Sequence, residues 1–179
     1  NFKTVTSTTL TQVVNQAVST STIIFSSSPN PTQFGQVVSL RATVTGSVAN
    51  PPQAPLGSVV FMDGATTLGA VPLSQILANT SSATLNISTL VTGSHSITAS
   101  YLGDVNYPSS NSTAMTQNVI KTGSATVITS SVTPSVFGQN ITITATVTNN
   151  VSGTGNPTGT VQFYDSATLL GSGTLSPSG

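Results

Sequence analysis

The chain of 179 residues is long enough for one large domain or two of ordinary size, and it carries almost no charge. Three Lys or Arg residues and three Asp residues make up 3% of the chain and cancel to a net charge of zero. Without an electrostatic field to attract them, nucleic acids and anionic lipids are not expected as partners. The absence of cysteine excludes disulfides and cysteine-based metal sites. No apolar run reaches the roughly 18 residues of a membrane span, so we expect no membrane insertion.

Hydroxyl side chains take the place that charged side chains hold in most proteins. The chain has 28 Ser and 32 Thr, together 60 of its 179 residues. Val, Ile and Thr dominate, and these β-branched residues favour strands. Because ion pairs and basic protease sites are scarce, we expect an extracellular or cell-surface location. No signal peptide is found at Asn1, as expected for a mature or excised segment.

The first predicted element is a single strand within residues 1–18. The sequence STTLTQVV at residues 7–14 resembles STAMTQNV at residues 112–119, where a complete repeat ends. We therefore expect residues 1–18 to be the closing strand of a preceding repeat or a donor strand for another molecule, with residues 4–14 as the strand itself.

Residues 19–122 form one complete repeat of short strands. Apolar and polar residues alternate along them, as in strands with one buried face, and turn residues such as Pro, Gly, Asn and Asp separate them. No segment shows a helical period. The predicted strands span residues 20–27, 36–45, 57–63, 66–71, 81–89, 94–102 and 111–120. About seven such strands in about 100 residues are typical of an antiparallel β-sandwich.

Residues 123–179 are the first half of a second copy. Phe34 recurs as Phe137 within the matching segments SPNPTQFGQ and SVTPSVFGQ, and GSVVFMD recurs as GTVQFYD. Counterparts of the last strands of the complete repeat do not occur before Gly179. Two explanations stay open. Either these residues are part of a longer array, or the halves of two molecules complete each other by β-strand addition, which would cover exposed strand edges.

Three segments in this order resemble the repeats of bacterial Ig-like domains. They are PTQFGQVVSLRATV at residues 31–44, GSVVFMDG at residues 57–64 and GSHSITASYLGDVNY at residues 93–107. The resemblance covers residues 19–122 fully and residues 123–179 as far as that copy runs. It implies tandem immunoglobulin-like antiparallel β-sandwiches, which occur in large surface and secreted proteins, and it supplies no catalytic residues.

Few side chains could carry chemistry. Acid–base catalysis needs two titratable groups close together, and the candidates are Asp63, Asp104, Asp165, His95 and three tyrosines. Asp63 and Asp165 hold the same position in successive repeats, and each is predicted to open a turn in which it caps its own backbone. His95 shares strand parity with Ile97, which predicts a partly buried structural histidine. We predict no catalytic, cofactor-binding or metal-binding residue and no enzymatic activity.

The segment from Tyr101 to Tyr107 holds the remaining alternatives. Asp104 and Asn106 place a carboxylate and an amide two residues apart in a loop, which a hard cation such as Ca²⁺ can use. One carboxylate is few for calcium, so a tight turn is the favoured interpretation. We expect Tyr101 and Tyr107 to pack the sandwich edge rather than to stack on a sugar. The five Asn-x-Ser/Thr sequons are about as many as the composition gives by chance, so their number is no evidence for or against glycosylation.

The function predicted from these observations is structural. We expect a stalk, spacer or polymer subunit of an extracellular tandem-repeat surface protein or filament, with its own neighbouring repeats or subunits as head-to-tail partners. The alternative is an adhesin or a carbohydrate-binding module of a secreted protein, with a glycan as partner. That alternative needs exposed aromatic side chains, and the chain has no Trp and three Tyr.

Overall fold

The computed structural model describes residues 2–15, 20–47, 53–151 and 155–176, and this part of the chain contains strands and no helix. It therefore holds no helix that could cross a membrane. In chain order the strands are β1 Thr20–Ser28, β2 Thr32–Gln33, β3 Val38–Gly46, β4 Ser58–Asp63, β5 Thr66–Pro72, β6 Ser74–Leu77, β7 Thr80–Ile87, β8 Gly93–Tyr101, β9 Ser110–Asn111, β10 Met115–Ile120, β11 Ser124–Ser130, β12 Ile143–Asn149, β13 Thr160–Asp165 and β14 Thr168–Thr174.

Six of the seven strands predicted for residues 19–122 are observed with ends that differ by at most two residues. The seventh, predicted as residues 111–120, is two strands, because β9 pairs with β8 at Tyr101 and Ser110 before β10 begins. The short strands β2 and β6 were not predicted. All four residues of β6 are exposed. An alternating apolar pattern identifies strands that bury one face, so it could not identify this strand.

Two sheets form the first repeat. One has the strand order β1-β3-β7-β6, and the other has the order β2-β10-β8-β4-β5 with β9 also paired to β8. The pair β4–β8 is antiparallel, with Phe61 opposite Ala99. The pair β2–β10 is parallel, with Thr32 opposite Val119. This arrangement confirms the predicted all-β class and the antiparallel β-sandwich, with one short parallel pair at its edge.

The core of the sandwich consists of the inward side chains of both sheets. Leu40 and Val44 of β3 are fully buried on one side, and Phe61 of β4 and Ile97 of β8 are fully buried on the other. Alternation along each strand places these apolar residues on the same face. The burial of apolar surface between the two faces is the main force that holds the sheets together.

The chain divides into two compact units that do not coincide with the two sequence repeats. The first unit contains Asn1–Ser27, Leu40–Leu85 and Ser96–Thr116, and most of the buried core belongs to it. The second unit contains Ser28–Ser39, Asn86–His95 and Gln117–Gly179. Since the second unit holds the end of the first repeat together with the whole second copy, the junction between the repeats lies inside one compact unit.

The second copy forms two hairpin-like pairs. β11 pairs antiparallel with β12, and β13 pairs antiparallel with β14. The β13–β14 pair repeats the register of the β4–β5 pair, including the irregularity after the Phe of each first strand. None of the residues of β11 or β14 is buried.

Residues 2–15 form no strand and are exposed along their length. A strand needs a hydrogen-bonded neighbour, and none of the strands that the structure describes pairs with these residues. Residues 1 and 16–18 of the predicted element lie outside the described residues. The role of residues 1–18 as a closing or donor strand requires another module and stays a prediction.

Candidate functional site

The loop after β8 is built around the carboxylate of Asp104. Its Oδ1 accepts hydrogen bonds from the backbone N–H groups of Asn106 and Tyr107, each at 2.7 Å. Its Oδ2 accepts one from the N–H of Leu56 at 2.7 Å, and its own N–H donates to the carbonyl of Tyr107 at 2.8 Å. Asp104 therefore closes its own loop and fastens that loop to the segment before β4. This is the tight turn that the sequence predicted.

These contacts also set the charge state of the site. Burial by itself would raise the pKa of Asp104, but the hydrogen bonds from Leu56, Asn106 and Tyr107, together with the nearby Tyr101 hydroxyl, hold that pKa below its ordinary value. The carboxylate is thus stabilised in its ionised form by donors that belong to the fold. The described residues contain no group of three or more His, Cys, Asp or Glu side chains that could hold a metal ion.

Tyr101 and Tyr107 are both buried beside this loop. The Tyr107 hydroxyl donates to the carbonyl of Gln53 at 2.8 Å. Its ring lies so close to Gly46 that a Cβ added there would stand 2.9 Å from the ring carbon Cζ. Burial raises the pKa of Tyr101, and Asp104 raises it further, although the hydroxyl has no partner of normal hydrogen-bond geometry in the described part of the chain. Both rings are packing residues, as predicted, and neither is presented to a sugar.

His95 and Asp63 are structural residues at other positions. His95 is buried, and its Nε2 lies 2.8 Å from the carbonyl of Val91, which can only accept, so Nε2 donates. Asp63 Oδ1 accepts from the N–H of Ser96 at 3.1 Å, and Gly64 N–H donates to the Ser96 carbonyl at 3.0 Å. The prediction that Asp63 caps its own turn missed this link to β8, since a partner 33 positions away leaves no local signal.

The remaining sequence candidates lie in the second copy and are exposed. Asp165 ends β13, and Tyr164 beside it donates from its hydroxyl to Gln162 Oε1 at 2.9 Å. The next residue, Ser166, has a positive φ of 52°, which matches the 55° of Gly64 at the equivalent turn position.

The junction between the repeats is held by backbone and side-chain hydrogen bonds. The sequence predicted only that the linker at this junction is short. Two bonds attach the end of the first repeat to the β2 turn: Phe34 N–H donates to the Ile120 carbonyl at 2.9 Å, and Thr122 Oγ1 donates to the Phe34 carbonyl at 3.3 Å. One residue later, the Gly123 carbonyl accepts from the N–H of Asn150 at 3.0 Å. The connection is therefore hydrogen-bonded on both sides of the repeat boundary.

An open cleft of about 410 Å³ lies at this junction. One wall comes from the first repeat and its exit, and the other wall comes from the second copy. The lining residues are Phe34, Thr92, Lys121, Thr122, Gly123, Ser124, Asn149, Gly155, Asn156, Pro157 and Thr158. Phe34 is the aromatic residue of this lining, and it is 37% exposed.

The fold and the repeat can now be compared with known proteins. The family described as bacterial Ig-like domain (group 3) matches residues 25–120 and 128–179. The chain belongs to this family. Among solved structures, the chain is similar to a structure described as "Structures of Clostridium thermocellum CbhA fibronectin(III)-like modules". The two chains are 15% identical with a TM-score of 0.34, and the match covers 84% of this chain and 73% of that chain. No curated protein matches it.

Membership in the bacterial Ig-like family describes a β-sandwich module of the kind that larger proteins contain. Modules of this family are generally non-catalytic, and they are common in extracellular or surface proteins. The Asp104 loop agrees with this description, because its polar groups are engaged in holding the Ig-like module together.

Proposed function

We propose that the chain is a structural spacer in an extracellular tandem array of Ig-like modules. The observation that carries this proposal is the junction, where only Lys121, Thr122 and Gly123 separate β10 from β11. Thr122 and Gly123 are hydrogen-bonded to different repeats, so the linker is not a free chain. A linker this short and this well bonded leaves little hinge freedom, and successive sandwiches then extend away from their anchor.

The surface composition supports work outside the cell. A chain with 3% charged residues has few groups through which salt, or pH above the acidic range, can change its stability. The fold lowers the pKa of the Asp104 carboxylate, which keeps that group ionised at neutral pH. A spacer with these properties keeps its length under varied external conditions.

The partner in this proposal is a neighbouring Ig-like module, joined head to tail. Residues 4–14 repeat the pattern of β10, in which Gln117 is fully buried and donates from Nε2 to the Pro29 carbonyl at 3.1 Å. The equivalent Gln12 is exposed here. Residues 4–14 thus carry the sequence features of a closing strand, including the glutamine whose equivalent in β10 is buried, for a module other than the two in this chain. That module either precedes them in a longer chain or belongs to another copy.

The adhesin or carbohydrate-binding alternative is not supported by Tyr101 or Tyr107. Tyr101 and Tyr107 are buried, so replacing either would disturb the fold rather than remove a sugar contact. Tyr164 is the exposed tyrosine, and this alternative now depends on it.

Small-angle X-ray scattering of the 1–179 chain tests the spacer proposal. We expect a single elongated particle whose maximum dimension is unchanged by salt. Inserting Gly-Ser-Gly-Ser between Thr122 and Gly123 should broaden the distance distribution, because it separates the two sets of junction bonds. The same insertion between Ser88 and Thr89, two exposed loop residues, is the matched control. If the native chain and the junction variant show the same flexible profile, the proposal is wrong.

Negative-stain electron microscopy of the same samples separates the two sources of the neighbouring module. If the native chain forms fibres and these disappear when residues 2–15 are deleted, the neighbouring module belongs to another copy of the chain. If short rods are seen both with and without residues 2–15, the neighbouring module belongs to a longer chain.

A further inference from the structure

The turn that presents Phe34 occurs twice in the chain with the same hydrogen bonds. In the first repeat, Gln36 Oε1 accepts from the N–H of Gln33 at 3.1 Å, and Gln36 N–H donates to the Gln33 carbonyl at 3.1 Å. In the second copy, Gln139 and Val136 make the same two bonds at the same distances.

The glycine inside each turn also has the same conformation. Gly35 and Gly138 both have a φ of 80°, a left-handed value that favours glycine. The turn is therefore a locally determined unit whose shape does not depend on its surroundings. It places a phenylalanine, Phe34 or Phe137, at the same point of each repeat.

The two phenylalanines differ in their surroundings. Phe34 is 37% exposed and lines an open cleft that it shares with Ser124, Asn149 and residues 155–158 of the second copy. Phe137 is 108% exposed. A fully exposed phenylalanine on a preformed turn leaves a large apolar surface in water, which burial against a partner would relieve.

We propose that Phe137 is a docking residue for the first strands of a following Ig-like module. The first repeat indicates the occupant, because Phe34 lines one cleft together with Ser124, Asn149 and residues 156–158 of the module that follows it. We expect the equivalent segment of a following module beside Phe137. This inference rests on the tandem-array function and adds the contact that orders each junction. In it, each module carries one Phe turn that receives its successor.

The turn bonds explain why the contact can act as a joint of defined geometry. Phe34 is attached through its N–H to Ile120 and through its carbonyl to Thr122, so the ring and the exit strand move together. A successor that packs on the ring is then held relative to the sandwich it leaves. The same relation is expected at Phe137 once a closing strand and a successor are present.

The periodicity of the chain allows a direct test. Thr174 is equivalent to Pro72, so residues 1–174 can be continued with residues 73–122, which completes the second module, or with residues 73–179, which also adds a following half module. 4-Fluorophenylalanine at position 137 provides a ¹⁹F signal from the ring. A soluble paramagnetic agent increases the ¹⁹F relaxation rate of an exposed ring more than that of a buried ring, so this rate measures the solvent exposure of the ring. Phe34 in the native chain, labelled in the same way, is the reference for a docked ring.

We expect the relaxation at position 137 to fall from the native chain to the completed module and to fall again to the Phe34 level when the following half module is added. Equal relaxation in the two extended chains would overturn the docking proposal, because the closing strand alone would then account for the cover. This outcome would not affect the proposed spacer function. The spacer proposal is tested separately, and it is wrong if small-angle scattering shows that the native junction is flexible.

A second measurement uses the native chain and does not depend on the folding of the extended chains. Phe34→Ser should accelerate hydrogen exchange of the Asn150 amide, which is bonded to Gly123, by about tenfold relative to the native chain. Phe137→Ser should leave that amide unchanged. If Phe34→Ser also leaves it unchanged, the Phe turn does not order the junction and the inference is wrong.

Discussion

The hairpins β4–β5 and β13–β14 are the same local structure in two surroundings. In both, the strands pair in the same register, and the register shifts after the Phe of the first strand. Phe61 is nevertheless fully buried, whereas Phe163 at the equivalent position is partly exposed. The difference teaches that pairing and turns are local properties of this repeat, while burial depends on strands that arrive later in the chain.

The strand β8 is one part of the first repeat that differs between the two surroundings. It pairs with β4 on the side away from β5, with Ala99 opposite Phe61, and it contributes Ile97 to the core. A counterpart of β8 is not among the residues of the second copy. The β13–β14 hairpin therefore keeps its hydrogen bonds, but among the described residues no strand pairs with β13 on the side that β8 occupies beside β4.

The largest effect expected from this comparison concerns the two phenylalanines themselves. Phe61→Ala removes a fully buried ring and should lower the free energy of unfolding by about 3–5 kcal/mol, through lost burial and the cavity left behind. Phe163→Ala, its matched control, should cost less than about 1 kcal/mol. Urea denaturation followed by far-UV circular dichroism measures both. Equal losses would mean that the second copy buries its apolar residues as well as the first does.

Asp104 provides the next largest effect, because its loop has no counterpart in the second copy. Asp104→Asn replaces an ionised acceptor of three backbone N–H groups and should lower the free energy of unfolding by about 1.5–3 kcal/mol. Asp165→Asn, at an exposed position, should change it by less than about 0.5 kcal/mol. Chemical denaturation at neutral pH compares the two variants, and a loss of the same size in both would contradict the structural role of the loop.

The pH dependence of the same site has a defined sign. The folded-state pKa of Asp104 lies below its ordinary value, so its contribution is complete above about pH 4 and is lost as the pH falls through the folded pKa. The native chain should lose stability over this acidic range, and the Asp104→Asn variant should lose less. Denaturation curves between neutral and strongly acidic pH check this; parallel curves for the two proteins would show that another group controls the acid response.

The turn position occupied by Gly64 in the first repeat and Ser166 in the second allows a reciprocal exchange. Both have positive φ, which costs a residue with a Cβ about 1 kcal/mol relative to glycine. Ser166→Gly should therefore stabilise the second hairpin, and Gly64→Ser should destabilise the first by a similar amount. Amide exchange of the strands on either side of each turn measures both effects. The same sign of change in both variants would show that the turn conformations differ.

The smallest effect concerns the glycines that lie opposite Phe61 and Phe163 in the two hairpins. Gly69 and Gly171 are equivalent, but a Cβ at Gly69 would lie 3.2 Å from Leu85 Cδ1, whereas nothing lies within 4 Å of a Cβ at Gly171. Gly171→Ala should gain about 0.4–1 kcal/mol by restricting the unfolded chain. Gly69→Ala should gain less, because the Leu85 side chain must give way. Thermal unfolding of the two variants tests the difference, and a larger gain at Gly69 would contradict it.

Particular elements show how far sequence reasoning reached. Alternation and turn residues were enough to predict six strands of the first repeat, the Asp104 turn and the packing of Tyr101 and Tyr107. They were not enough for β6, which is exposed on both faces, or for the bond from Asp63 to Ser96 in another strand. Each failure involves a feature that has no periodic apolar signal or whose partner is far away in the chain.

The amino-acid sequence by itself determined the repeat, the strands within it and the shape of its turns, because these depend on residues within a few positions of one another. The turns at Gly35 and Gly138 are alike although their surroundings differ. Only the tertiary structure decided that Phe61 is buried while Phe163 is not, and that Phe34 lines a cleft while Phe137 is exposed. Burial is a property of two surfaces brought together, and the second surface comes from strands distant in the chain.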